Sequence, residues 1–405
     1  MKVLLAVVHH EVFGGPHNQI LRLQNSLAER GWETVAVLPD TRGNAAERLR
    51  AAGIRVIQTP LHRPRKTLHP GRHVELVFGF LPEIANLRRI IREQHADLVQ
   101  VFGPIYPHGA IAAHLERVPV VWQLLGTFAP LPVRTAFMPA VLYLSDVVMA
   151  TGQAIARAHP GVAGLKSRLV PFYPPVDTQE FRPDPLRRAQ ARQELAVPPD
   201  ALLVGTVGNF NWVKGHDLLV QAAAVVRQRF PNAFFRILGA ATATQARYYD
   251  EHVKSLARRL GLLRENRLQF VEPGNRVAEF LPAFDLFVLT SRAEGVPTSV
   301  LEAMACGLPV VTTDVGAVRE VVEDGRTGRV VAARNSPAVA GAIIELLNDP
   351  ARRQAMGAAA RSAAVERYDT SACAAIHLTA YELACRRKGH QHHTKPAVTL
   401  NRPAD

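Results

Sequence analysis

Short apolar runs alternate with helical stretches in two successive series, and a proline cluster separates them. This repeat constrains the fold more than any other feature of the chain. The first series predicts strands at Lys2–Val8, Thr34–Leu38, Arg55–Gln58, Leu98–Phe102, Val120–Leu124 and Val147–Ala150. Helical spacing of apolar residues falls between them at Asn18–Arg30, Ala45–Ala52, Leu81–Gln94 and Gly109–Arg117. Strands alternating with helices of this length indicate a parallel, doubly wound sheet. Pro171, Pro174, Pro175, Pro183, Pro185, Pro198 and Pro199 then interrupt the pattern. Between Val176 and Asp200 the chain can hardly hold one continuous element, which places an inter-domain linker there. The alternation restarts with strands at Leu202–Val207, Ala233–Leu238, Leu268–Val271, Leu286–Leu289, Val310–Thr312 and Arg329–Val331. Its helices fall at Leu218–Arg229, Gln245–Leu260, Val300–Ala305 and Pro337–Leu347, and two more, Ala351–Glu366 and Ser371–Arg387, close the chain. Two facing Rossmann-like domains are expected.

The 405 residues suit two domains of that kind, each roughly 150–200 residues long. Hydrophobic residues make up 48% and charged residues 20% of the chain, enough for a sizeable core and unlike a disordered sequence. Cys306, Cys373 and Cys385 are widely spaced and odd in number, fitting neither a zinc site nor a disulfide framework. They read as structural or incidental thiols in a reducing compartment. The apolar run after Met1 is too short for a secretory segment, and no stretch reaches the ~18 apolar residues of a membrane span. A cytoplasmic protein, with possible attachment to a membrane surface, is expected.

The net charge of +13 favours anionic partners. One acid-free stretch, His62 to His73, concentrates basic residues. It reads either as a solvated loop or as a patch meeting anionic lipid headgroups. Nucleic acid is not the expected partner, because no helix-turn-helix, zinc-finger or aromatic RNA-binding signature accompanies the charge.

The strongest chemical signal runs from Thr290 to Val311. A strand enters a tight turn with Glu294 at its mouth, and a helix starts near Pro297, which suits a first helical position. The amides around Thr298–Leu301 then point at the end of the sheet, where open α/β folds bind ligands and helix N-termini attract phosphate. Glu294 and Glu302 flank that anion site. Carboxylates repel phosphate, so hydroxyls of a sugar and a ribose are their natural partners, although the two also read as a first-turn acid and a surface helix residue. A second signal, Val204 to Leu218, delivers Gly208 from a strand, followed by Asn209 and by Lys214-Gly215 at the start of a helix. It is not a P-loop, since the lysine precedes the glycine. A lysine there is a natural diphosphate clamp or an exposed solvated side chain. Third, Gly14-Gly15 after the first strand lets backbone approach a ligand, or forms a plain turn.

Taken in order, these stretches resemble the retaining glycosyltransferases of the GT-B fold, family 4. Gly14-Gly15, Pro175-Val176-Asp177 with Phe181 and Pro183, Val207-Gly208 with Lys214-Gly215, and Ile237-Leu238-Gly239 carry the resemblance. So do Asp285 to Ser291, the Glu294/Glu302 pair, and Gly316 with Glu320. The match runs from Lys2 to about Ala384. It implies transfer with retention of anomeric configuration, with no required metal or other cofactor, from a nucleotide diphosphate sugar to a glycan or lipid-linked acceptor. Glu294 and Lys214 become the implied catalytic pair: Glu294 contacts donor-sugar hydroxyls and Lys214 the diphosphate. Glu302 contacts the ribose, and amides of Gly295, Thr298 and Ser299 assist, with Gly15 and Asn209 also on the donor side. The acceptor lies mainly on the N-terminal domain, near Gly14, His17 and His108. The implied partition is 1–180 for that domain with 367–388 crossing back onto it, 181–366 for the nucleotide-sugar-binding domain, and a disordered tail over 389–405.

Two positions depart from the family. Asn209 stands where relatives usually have an arginine beside the lysine. Leu125 and Gly126 occupy the place of a histidine and an acid near the reacting sugar. His17 and His108 lie on neighbouring loops within reach of the cleft, and each also reads as an ordinary surface or core histidine. These departures motivate an alternative, a nucleotide-sugar-binding protein of the same fold with weak or lost transfer. A GT-B epimerase or phosphorylase is a further alternative, which the context of Glu294 and Glu302 disfavours.

Overall fold

The computed structural model describes residues 1–62, 70–127, 129–240 and 245–393. The first sheet comprises β1 (Lys2–Val7), β2 (Trp32–Pro39), β3 (Arg55–Thr59), β4 (Leu98–Phe102), β5 (Val120–Leu124), β6 (Val147–Thr151) and β7 (Leu169–Phe172). Its order is β3-β2-β1-β4-β5-β6-β7, with every pair parallel. The second comprises β8 (Leu202–Val207), β9 (Ala233–Leu238), β10 (Leu268–Val271), β11 (Leu286–Leu289), β12 (Val310–Thr313) and β13 (Gly328–Val331). It runs β10-β9-β8-β11-β12-β13, again all parallel. Parallel strands need crossover helices on both faces, so their residues are buried on both sides, as the wholly buried β4, β5 and β6 show. Each sheet reverses its winding beside its first strand: β1 lies between β2 and β4, and β8 between β9 and β11. Such switch points leave a crevice outside the carboxyl ends of the strands.

The structure adds elements that the periodicity did not show. β7 contains Pro171 and forms the edge of its sheet, where a missing amide donor is tolerated. A helix over Leu131–Leu144 carries Pro139 in its interior. The expected linker holds a helix, Pro185–Glu194, capped by Asp184, whose carboxylate accepts from the amides of Leu186 and Arg187 at 3.0 Å each. The stretch expected as one helix over Gln245–Leu260 passes through a π-helical turn at Tyr249–Lys254. Pro297 caps the helix Thr298–Ala305 rather than opening it. The helix near residue 81 begins earlier, spanning Pro70–Glu93.

The chain passes between the sheets twice, side by side. The Val176 amide donates to the Tyr368 carbonyl at 2.8 Å, and the Thr370 amide to the Val176 carbonyl at 3.1 Å. The final helix, Thr370–His393, then packs on the first sheet's side: Tyr381 lies against Trp32 and donates to Gln100 at 2.7 Å. This helix carries the chain beyond Lys388, where a disordered tail was expected, and residues 394–405 lie outside the described residues. The basic stretch also lies largely outside them, at 63–69. Cys306 and Cys373 are buried and Cys385 half-buried, all as free thiols. No helix among the described residues is long and apolar enough to cross a membrane.

Candidate active site

Three loops leave the carboxyl ends of β1, β8 and β11 and meet in the crevice. The β8 and β11 loops are stitched together before any ligand is considered. Thr290 donates to the Gly215 carbonyl at 2.8 Å, the Arg292 amide donates to the Val213 carbonyl at 2.7 Å, and Arg292 pairs with Asp217 at 2.6 Å. Gly215 has φ +63°, and a Cβ there would stand 2.1 Å from the Thr290 carbonyl oxygen, so only glycine fits the junction. The Lys214 stem lies along Gly208, where an added Cβ would come within 3.1 Å of Lys214 Cδ. These contacts aim Lys214 at Glu294, Nζ to Oε1 at 2.7 Å. Ser291 donates to the same oxygen at 2.7 Å, and Glu294 is 7% exposed.

Glu302, five residues into the helix Thr298–Ala305, is also buried. It pairs with Arg22 of the opposite domain, Nη2 to Oε1 at 2.5 Å. The same guanidinium donates to the Pro175 carbonyl at 2.9 Å and lies over the Phe181 ring. The first-turn amides of Thr298 and Ser299 have no carbonyl four residues back within the helix, and both residues line the crevice at this positive helix end.

The crevice has two adjoining compartments. The smaller, about 390 Å³, holds Lys214, Glu294, Gly295 and Ser299 on one wall and Gln19 and Leu125 on the other. The larger, about 650 Å³, is lined by Gly14, Arg22, Arg48 and Glu302 among others. Gly15, Asn209 and Thr298 border both. The donor-side residues expected from the sequence therefore line one interdomain crevice. A Cβ on Gly15 would meet nothing within 4 Å, so that turn is open to a ligand.

His17 and His108 are not brought there. His17 is fully buried in the cap of the helix Gly15–Ala28: its Nδ1 accepts from the Gly14 amide at 3.1 Å, and its Nε2 donates to the His10 carbonyl at 3.0 Å. Burial pushes it down to about 4. His108 lies behind the crevice against Phe80 and His9, and burial, then the His62 charge, lowers it to about 4. Both histidines sit in the interior because each lies in the first turn of a helix, Gly15–Ala28 and His108–Leu115, on the face that packs inward.

Sequence reasoning missed Arg22, whose helical position marks it only as polar. It noted Glu320 by spacing alone. In the structure Glu320 reaches across the crevice and accepts from the amides of Gln153 and Ala154 at 2.8 and 2.6 Å and from Tyr173 at 3.0 Å. Among the described residues no group of three or more His, Cys, Asp or Glu side chains is placed to hold a metal ion.

Comparison with known proteins gives the family and the fold. Residues 13–180 match the model described as Glycosyltransferase Family 4, and residues 187–363 match Glycosyl transferases group 1. A GDP-mannose-dependent alpha-(1-6)-phosphatidylinositol monomannoside mannosyltransferase of Mycobacterium tuberculosis is 30% identical over 80% of this chain and 82% of its own length. A D-inositol 3-phosphate glycosyltransferase of Corynebacterium urealyticum is 30% identical over 52% of this chain, so the match spans 50% of that relative. The crystal structure of Anabaena HepE in complex with UDP superposes with a TM-score of 0.78 at 23% identity, covering 96% of this chain and 100% of that one. The chain belongs to the group 1 glycosyltransferases and has their GT-B fold.

Proposed function

We propose that the protein is a retaining, metal-independent hexosyltransferase that takes its sugar from a nucleotide diphosphate sugar and delivers it to a glycan or lipid-linked acceptor. The observation that carries this reading is the meeting of Lys214 and Glu294 at 2.7 Å beside the free amides of Thr298 and Ser299. A leaving diphosphate gathers negative charge as the glycosidic C–O bond breaks, and a fixed ammonium and helix-end amides stabilise it without reorganising. Glu294 accepts hydrogen bonds from hydroxyls of the transferred sugar, and Glu302 from those of the ribose.

Retention is supported by the wall facing Lys214. Gly15, Pro16, Gln19, Leu125, Thr151 and Phe172 supply no carboxylate or imidazole there. The acceptor hydroxyl's proton then passes to a departing phosphate oxygen, and the new C–O bond forms on the face that the phosphate leaves. A lipid-linked acceptor is supported by the names of the mycobacterial relatives, by the charge of +13, and by Phe78 and Leu81. These two project one helical turn apart on Pro70–Glu93, at 76% and 73% exposure, and follow the basic stretch within a few positions in sequence. Peripheral contact with the cytoplasmic face of an anionic membrane follows from the same features.

Mass spectrometry of products from UDP- and GDP-sugars offered with lipid and glycan acceptors tests the reading. A glycosylated product with the donor's anomeric configuration supports it. Donor binding without transfer to any acceptor would favour a binding protein, the outcome to which Asn209 and Leu125 would point.

A further inference from the structure

Gln19 belongs to no role assigned so far, yet it lines the compartment holding Lys214 and Glu294. It sits in the helix Gly15–Ala28 and is 6% exposed. Its amide nitrogen lies 3.0 Å from Gln123 Oε1 and 2.9 Å from His377 Nε2. Gln123 ends one residue short of the carboxyl end of β5, and His377 comes from the returning helix, more than 350 positions along the chain. The His377 tautomer follows from its surroundings. Its Nδ1 is 2.8 Å from the Cys373 carbonyl one turn earlier, which can only accept, so Nδ1 carries the proton and Nε2 presents a lone pair. The ring is wholly buried, and that burial lowers its affinity for a second proton to a pKa of about 4. It remains neutral near pH 7. Gln123 also approaches His377 Nε2, at 3.2 Å, closing a three-membered cluster.

This network fixes the orientation of the Gln19 amide. An amide nitrogen has two hydrogens, and here one faces Gln123 Oε1 and the other His377 Nε2. Flipping the side chain would set its oxygen against an acceptor oxygen and a lone pair, leaving two buried acceptors facing one another. The nitrogen is held toward the sheet and the returning helix, so the carbonyl branch is turned toward the crevice.

We propose that Gln19 is a sugar-contacting residue, its side-chain carbonyl accepting a hydrogen bond from a sugar hydroxyl in the compartment bounded by Lys214 and Glu294. His377 is the positioning residue that holds this orientation from the returning helix. The inference rests on the hexosyltransferase reading and adds to it. It makes the C-terminal helix part of sugar recognition instead of a packing element alone. The hydroxyl belongs either to the transferred sugar or to the acceptor, and the experiment separates the two.

Calorimetric titration with UDP-glucose and GDP-mannose, using UDP and GDP as sugarless controls, provides the test on wild type, Gln19→Leu, His377→Leu and His377→Gln. The gain in affinity that the sugar confers over the bare diphosphate should fall about fivefold in Gln19→Leu and in His377→Leu, the worth of one net hydrogen bond. It should return in His377→Gln, whose amide oxygen can replace Nε2. If the sugar's gain is unchanged but the acceptor KM rises about fivefold, the hydroxyl is the acceptor's. A cluster that only glues the helix down would lower the melting temperature of the variants and move neither quantity. Gln19→Leu protein that is folded, with the sugar's gain and the acceptor KM both at wild-type values, overturns the proposal. Wild-type protein binding neither the sugars nor the diphosphates would instead end the hexosyltransferase reading, and this inference with it.

Discussion

Arg22 and Glu302 meet across the crevice at 2.5 Å, with only 8% and 10% of their side chains exposed. The carboxylate assigned to the ribose is thus held by the opposite domain, and the same guanidinium grips the Pro175 carbonyl in the connection between the sheets. Donor binding and the closure of the domains therefore act on one side chain. Arg22→Ala leaves Glu302 buried and unpaired, which costs about 3 kcal/mol. Scanning calorimetry should show a lower melting temperature, and saturating nucleoside diphosphate should recover part of the loss, because ribose hydroxyls can donate to the orphaned carboxylate. An unchanged melting temperature would mean that the pair contributes nothing to closure.

Gly295 sets how closely the two domains approach. A Cβ at that position would stand 1.9 Å from the Leu125 carbonyl oxygen, and backbone on both sides leaves no rotamer to relieve the contact. Gly295→Ala should hold the crevice open. Small-angle scattering should give a larger radius of gyration, and transfer should fall about a hundredfold, as for reacting groups displaced by about 1 Å. A variant with wild-type activity would show that the close approach is dispensable.

Stability should fall in mild acid. His17, His108 and His377 are lowered by burial from 6.5 to about 4. Below pH 6.5 the unfolded chain binds protons that the folded imidazoles refuse, so the stabilisation present above that pH is lost as it falls toward 4. Denaturant unfolding measured from pH 7.5 to 4.5 should show this slope. His377→Gln should reduce it by up to about one proton. An identical slope in that variant would mean that His377 titrates normally.

Much of the fold was legible because parallel strands buried on both faces are continuous apolar runs. β4, β5 and β8 to β11 follow the predicted limits residue for residue. β7 escaped because Pro171 reads as a breaker, and only its edge position makes that proline tolerable. The helices at Leu131–Leu144 and Pro185–Glu194 escaped for the same reason, since their prolines resemble loop signals until Pro185 is seen just behind the Asp184 cap. At the site, Lys214 and Glu294 were legible because segments at strand ends expose their chemistry in local sequence, and Glu302 because it lies in the helix that follows Glu294 directly. Arg22, Gln19 and His377 were not. Arg22 meets Glu302 from 280 positions away, and Gln123 meets Gln19 from 104 and His377 from 254, and no local pattern records such pairings. The inward-facing His17 and His108 show the converse: a polar residue near a strand end can fall on the buried face of the helix that follows, as both do in the first turns of theirs.

The most direct measurement is single-turnover release of nucleoside diphosphate, with the glycosylated product followed in parallel, for wild type, Lys214→Ala and Glu294→Ala. Wild type should release diphosphate and product together, and each variant should be slower by about a hundredfold or more, the loss typical of removing one group that stabilises developing charge. Two folded variants that turn over at the wild-type rate would contradict the assignment of the crevice.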